Sequence, residues 1–202
     1  MKQSHTIERV AWAAGMLFLL VYAGVRVDGA MGRSAGIRQF DRTAAPDRKN
    51  WSSSRRLAYQ TSLSASAGPV IAVLRVPSVD LEVPLYADTS ELHLNRGVGL
   101  IEHMAAPGHG GNLGIAGHRD GYFRGLAGVR AGDGIEVRTR TARYSYRVAF
   151  IAVVAARDAR LLRPTETMVV TLVTCFPFYF VGHAPQRFVV RGVLISSETT
   201  RP

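Results

Sequence analysis

Cys175 is the only cysteine in the chain, and a thiolate is the strongest nucleophile an unmodified side chain offers. It ends the run MVVTLVTC (168–175) and is followed at once by FPFYF, whose Pro177 stops a strand. The ordinary fate of a lone cysteine is burial as a small hydrophobe. In an exported chain, however, an unpaired thiol is often there for its reactivity. With one cysteine there is no intramolecular disulfide and no cysteine-based zinc site. A nucleophilic thiol needs a proton acceptor and a donor for the oxyanion it creates.

Six histidines compete for the first task, and His5 stands apart on the leader side of an apolar segment. His118 closes the strand-like run NLGIAGHRDG between Gly117 and Gly121, which sets an imidazole at the rim of a sheet. His183, eight residues past the thiol in a turn, is the rival base and lacks that strand-end placement. His103, His109 and His118 read as a metal cluster only against their spacing, since six and nine residues match no helical or hairpin ligand pair. No metal is expected. For the second task Arg187 opens the last strand-like run, twelve residues after Cys175 and directly after the turn GHAPQ. If those two strands are neighbours, a planar, permanently charged donor fork returns beside the thiol. A solvated edge-strand arginine is the plain alternative for any one residue in so arginine-rich a chain.

The elements that must hold these three residues are short. After Pro69 the chain turns to runs of Val, Ile, Leu and aromatics punctuated by Gly, Pro and Asp. Candidate strands cover 70–76, 81–87, 112–117, 134–140, 142–154, 168–175 and 187–195, and only 122–128 and 158–164 have room for a helical turn or two. No strand alternates with a long amphipathic helix, so a doubly wound α/β fold is excluded and a mostly antiparallel barrel or sandwich is expected.

Upstream, Val10 to Val25 carry no charged side chain and lie between Arg9 and Arg26. Sixteen helical residues rise about 24 Å, short of a roughly 30 Å hydrocarbon core, a gap that snorkelling arginine stems and slight bilayer thinning close. An uncleaved N-terminal transmembrane anchor over 1–30 is the expectation, and a cleavable signal, whose nearest site Val27-Asp28-Gly29-Ala30 is poor, the alternative. Residues 31–68, rich in Ser, Arg, Ala and Asp, read as a tether to a domain at 69–202. Within the tether NWSSSRRLAYQTS has the makings of a short helix whose Trp51, Leu57 and Ala58 would touch the domain, against three serines that lower helix propensity.

Over 202 residues, 47% apolar and 20% charged content exclude wholesale disorder and fibrous architectures. The net charge of +10 rests almost wholly on arginine, Lys2 and Lys49 being the only lysines. Arginines in the C-terminal part are scattered singly through apolar segments rather than clustered on one element, so nucleic-acid binding is not expected.

With Cys175, His118 and Arg187 in hand, TLVTC (171–175), IAGHRDG (115–121) with its Phe-Arg shortly after, GDGIEV (132–137) and APQRFVVRG (184–192) together resemble a sortase over about residues 69–195. The resemblance is greatest to the class D type and its Gram-negative relatives. It implies an all-β, closed, mostly antiparallel eight-stranded barrel and a cysteine transpeptidase acting, without cofactor, on a secreted protein that bears a C-terminal LPXTG-like sorting signal. Cys175 would be the nucleophile, His118 the general acid and base, and Arg187 the residue that orients the substrate carbonyl and stabilises the oxyanion. The thioacyl enzyme would pass its acyl group to an amine acceptor of the cell envelope. Because side chains alternate along a strand, Thr171 and Val173 would share the side of Cys175 and Ala116 that of His118, as candidate groove walls. The stretch 155–167, with only Asp158 and Glu166 for carboxylates, is poor in the ligands with which some sortases hold calcium. A thiol peptidase releasing product to water and a degenerate peptide-gripping barrel are the readings that compete.

Overall fold

The computed structural model describes Trp12, Met16 and residues 51–179, 182 and 184–199. Residues 47–202 form one compact unit, distinct from residues 1–46. The expected anchor falls outside the described residues except for Trp12 and Met16, and among the described residues no helix is long and apolar enough to cross a membrane.

Eight strands are described: β1 (Ala72–Val76), β2 (Leu81–Tyr86), β3 (Val98–Leu100), β4 (Asn112–Ala116), β5 (Gly134–Arg138), β6 (Ala142–Ala155), β7 (Val169–Phe176) and β8 (Gln186–Thr199). They close into a barrel in the order β1-β2-β3-β4-β7-β8-β6-β5. The pairs β2–β3 and β4–β7 are parallel and the other six antiparallel. The barrel expectation holds over the sandwich, and seven of the strands lie where the pattern places them. β3 was not anticipated. It is three residues of GVGL, too short to show a period of two, and Gly99 is needed there because a Cβ would lie 2.1 Å from the Asp88 carbonyl oxygen.

Alternation explains why most strands form. In β1, Ala72, Leu74 and Val76 are buried while Arg75 is exposed, and in β5, Ile135 and Val137 point inward while Arg138 points out. Arg75 and Glu136 are register partners with an N···O distance of 3.7 Å on the solvent face. β7 instead reads as a continuous apolar run. It is sandwiched between β4 and β8, and the first part of its outer face, at Val169 and Thr171, is covered by the 156–168 connection as its inner face is by the core. That core joins Leu74, Leu85, Val98, Ile115, Ile135 and Leu172 to Phe123 and Leu126 of the 3-10 turn Tyr122–Gly128, which packs on it as a plug. This turn and the one at Arg160–Leu162 fall where helical turns were expected.

Two α-helices lie outside the barrel: α1 (Ser53–Ser62) and α2 (Glu91–Arg96). α1 forms within the segment expected as tether. Ser52 caps it by accepting a hydrogen bond from the Arg55 N–H at 3.1 Å, which offsets the poor propensity of its serines. Trp51 is buried edge-on against Tyr122, with ring centroids 5.0 Å apart. Leu57, expected to touch the domain, points to solvent instead. The six-residue α2 buries none of its residues fully, and so left no apolar period to read.

Candidate active site

The three predicted groups lie on or just past the adjacent strands β4, β7 and β8. Cys175 on β7 and Arg187 on β8 are direct antiparallel partners. On the other flank Ala116 of β4 pairs in parallel with Val173 of β7, the Gly117 N–H donates to the Val173 carbonyl at 3.2 Å, and the Thr174 hydroxyl donates to the Gly117 carbonyl at 2.8 Å. β4 ends at Ala116, and His118 follows two residues later, just past these last contacts to β7. Val170 and Leu172 occupy the core, so the alternate residues Val173 and Cys175 face outward. Cys175 and Arg187 are thus paired at the C-terminal end of β7, and His118 follows the end of the adjacent β4 by two residues.

Backbone packing places the imidazole. A Cβ on Gly117 would lie 2.7 Å from the Phe123 ring and 3.0 Å from Val98, so only glycine lets the chain leave β4 this close to the core and deliver His118 to the rim. The His118 side chain is mostly buried, and its Nε2 is without a hydrogen-bond partner. The nearest acid there is exposed Glu91, 3.5 Å away and too far for a good bond. Burial, then the positive charge of Arg55, holds the His118 imidazole below its ordinary titration range, against the opposing carboxylates of Glu91 and Asp120. A ring held toward its neutral form, with a nitrogen free of hydrogen bonds, suits proton transfer to and from a thiol.

Arg187 donates from Nη1 to the carbonyls of Ala184, at 3.3 Å, and Gln186, at 3.0 Å. The guanidinium is therefore steadied by its own turn at the position opposite the thiol. Beyond the cysteine, Arg119 grips the following loop, Nη1 donating to the Pro177 carbonyl at 3.2 Å and Nη2 to that of Gly182 at 2.8 Å. The Arg124 guanidinium sits 4.2 Å above the ring of Tyr179. Phe176, Phe178 and Phe188 pack against one another at the base of the Cys175–Arg187 pair, with centroids 5.1 to 6.2 Å apart. His183, the rival base, lies outside the described residues.

Of the candidate groove residues, Val173 and Ala116 are register partners and both half-buried on the outer face. Thr171 is corrected: it shares the side of Cys175 but is fully buried, its hydroxyl donating to Asn112 Oδ1 at 2.7 Å, so it presents no surface to a groove. The physical reason is the connection between β6 and β7, which folds over this part of the sheet. Asn112 Nδ2 donates to the carbonyls of Leu161 and Arg163, each at 2.9 Å, and Arg191 of β8 also donates to the Leu161 carbonyl. Beside this contact lies a cavity of about 360 Å³ lined by residues that include Met104, Asn112, Leu162 and Pro164. Asp158 in the same connection is bonded to Arg160, which holds its carboxyl down at about 2.

Residue reasoning missed Asn112, Arg119, Asp120, Glu91 and Arg55. Asn112, a polar residue opening an otherwise apolar strand, and Asp120, two places after the histidine, were visible signals. Glu91 and Arg55 left none, because only folding brings α1 and α2 to the rim.

Residues 74–195 match the family model for the sortase domain. Among curated proteins the chain is similar to Sortase D of Bacillus subtilis (strain 168), 27% identical over 134 residues, which is 66% of this chain and 68% of that protein. Among solved structures it superposes on sortase A of Listeria monocytogenes with a TM-score of 0.61 and 25% identity, covering 66% of this chain and 92% of that one. A Sortase D5 transpeptidase of Clostridium perfringens gives a TM-score of 0.57 and 26% identity, covering 73% and 91%.

Proposed function

The chain belongs to the sortase family of cysteine transpeptidases, and on that premise we propose that it is a membrane-anchored enzyme that cleaves an LPXTG-like sorting signal and transfers the released acyl group to an amine of the cell envelope. The observation that carries the reading is the direct pairing of Cys175 with Arg187 at the end of β7, and His118 just past the end of the neighbouring β4 supports it.

In this mechanism His118 takes the proton of Cys175 as the sulfur attacks the Thr carbonyl of the signal, and Arg187 turns toward the oxygen on which negative charge collects. Collapse of the tetrahedral adduct breaks the peptide bond. The leaving amine departs with a proton from the His118 imidazolium, leaving a thioester on Cys175. An incoming amine then gives its proton back to His118 as it attacks the thioester, and the thiol is restored. An extended substrate is supported by the half-buried pair Ala116 and Val173 on the outer face beside Cys175. Anchoring rests on the uncharged run Val10–Val25, which would hold the barrel outside the cytoplasm.

Incubating the protein with an LPXTG peptide, with and without an added amine, tests the reading. Mass spectrometry is expected to show an acyl adduct on Cys175 and an amine-dependent shift of product from acid to amide. Cysteine→alanine replacement at 175 should abolish both; turnover by Cys175→Ala would overturn the mechanism, and product unaffected by amine would make the enzyme a plain thiol peptidase. Carbonate extraction of membranes tests the anchor, since a cleaved or peripheral protein would be released.

A further inference from the structure

Arg55 lies on α1, ahead of the stretch 74–195 that matches the family domain, yet it reaches the catalytic rim. Its Nε donates to Asp120 Oδ1 at 3.1 Å and its Nη1 to Asn95 Oδ1 at 2.5 Å. The Ser52 hydroxyl that caps α1 donates to Asp120 Oδ2 at 3.2 Å, so both carboxylate oxygens of Asp120 are engaged by α1 and its cap. The Arg55 side chain is only 15% exposed, and a buried turn at Trp51 pins the helix where it stands. At Gly121, the His118 Cβ and the Arg55 Cδ lie 3.5 and 3.7 Å from one and the same point. The guanidinium therefore sits over the His118–Gly121 turn.

We propose that Arg55 is a positioning residue of the active site: by holding Asp120 in an ion pair it keeps that carboxylate from capturing the His118 imidazole, whose Nε2 makes no hydrogen bond and has only exposed Glu91, 3.5 Å away, as an ion-pair neighbour. The proposal rests on the reading of His118 as acid and base. Two places from His118, Asp120 is the carboxylate nearest in the chain, and an unpaired one there would hold the ring as an imidazolium. Nε2 of His118 remains without a partner although Asp120 and Glu91 are both close enough to act on it. The groups that act on the ring are Arg55 from α1, Glu91 from α2 and Asp120 from its own turn. Arg55 and Asp120 act on His118 with opposite signs, Arg55 lowering and Asp120 raising its affinity for a proton. A helix outside the family domain thereby becomes part of the catalytic apparatus.

The test is an NMR titration of the His118 ring in the chain from residue 47 on, the compact unit, and in full-length protein in detergent. Arg55→Gln is expected to raise the His118 pKa, Asp120→Asn to lower it, and the double variant to return it toward wild type. Arg55→Lys should keep most of the wild-type value, and it carries the test if the glutamine variant does not fold. The acid limb of the pH–rate profile should move with the titration. Arg55→Gln should lose less than the about 10² to 10⁴ that removing a general acid–base group costs. An Arg55 that only docks α1 would lower stability and leave the His118 titration in place; an unchanged titration in Arg55→Gln, or shifts of the same sign in Arg55→Gln and Asp120→Asn, would overturn the proposal. The titration needs no turnover, so a wild-type protein inert toward sorting peptides would count against the function and not against this pairing.

Discussion

Cys175 and Arg187 are register partners across β7 and β8. Opposite residues of an antiparallel pair put their Cβ atoms about 4.5 to 5.5 Å apart on one face, so the guanidinium is within reach of the thiol. Its present bonds to the Ala184 and Gln186 carbonyls are neutral ones at 3.3 and 3.0 Å. A developing oxyanion is a stronger acceptor than either carbonyl.

Exchange of those bonds for one to substrate requires the planar fork. Arg187→Lys keeps the charge and loses the fork, and loss of an oxyanion donor typically costs on the order of 10² to 10³ in kcat. Steady-state kinetics with a sorting peptide should show that fall in kcat. A raised KM with kcat unchanged would mean that Arg187 holds ground and transition states alike.

His118→Ala should remove about 10² to 10⁴ of the rate, and His183→Ala should retain it, because His118 follows directly on the end of β4, the strand paired with β7. The reverse result in parallel assays would move the base to the β7–β8 turn.

The depressed His118 affinity for protons makes a prediction about stability. Its native pKa lies below the ordinary 6.5 through burial first and Arg55 second. Above pH 6.5 the ring is neutral in both folded and unfolded chains and contributes no pH dependence. As pH falls through 6.5 the unfolded ring takes a proton that the native ring refuses, so stability falls with pH until the native ring titrates. Denaturant midpoints of wild type and His118→Gln should therefore differ in slope between pH 7 and 5, the variant being flatter. Asp120, held below its usual 3.8, adds its own loss only at lower pH.

Asn112→Ala should loosen the β6–β7 connection. It removes two donors to Leu161 and Arg163 and leaves the buried Thr171 hydroxyl without its acceptor. An orphaned buried group of this kind costs about 1 to 3 kcal/mol, readable as a lower denaturant midpoint. If the connection walls the substrate face, KM should rise more than kcat falls, whereas equal loss in both would place the effect at the reacting atoms.

Local pattern was enough for the strands whose side chains alternate and for the candidate nucleophile with the neighbours it would need. One cysteine at a strand end, one histidine at another and an arginine opening the next strand are local facts, whereas short β runs with no long helices between them left barrel and sandwich open, and closure came from the family resemblance and the strand pairing. β3 and α2 were not legible because three and six residues are too few to carry a period. Only the tertiary structure decided which outward-facing residues stay accessible. Thr171 and Val173 have the same parity on β7, yet a covering connection buries one and leaves the other half open. It alone brought Arg55 to Asp120, 65 positions away in the chain. Side-chain periodicity reports the face of an element, whereas what lies over that face is set by long-range packing that no local pattern encodes.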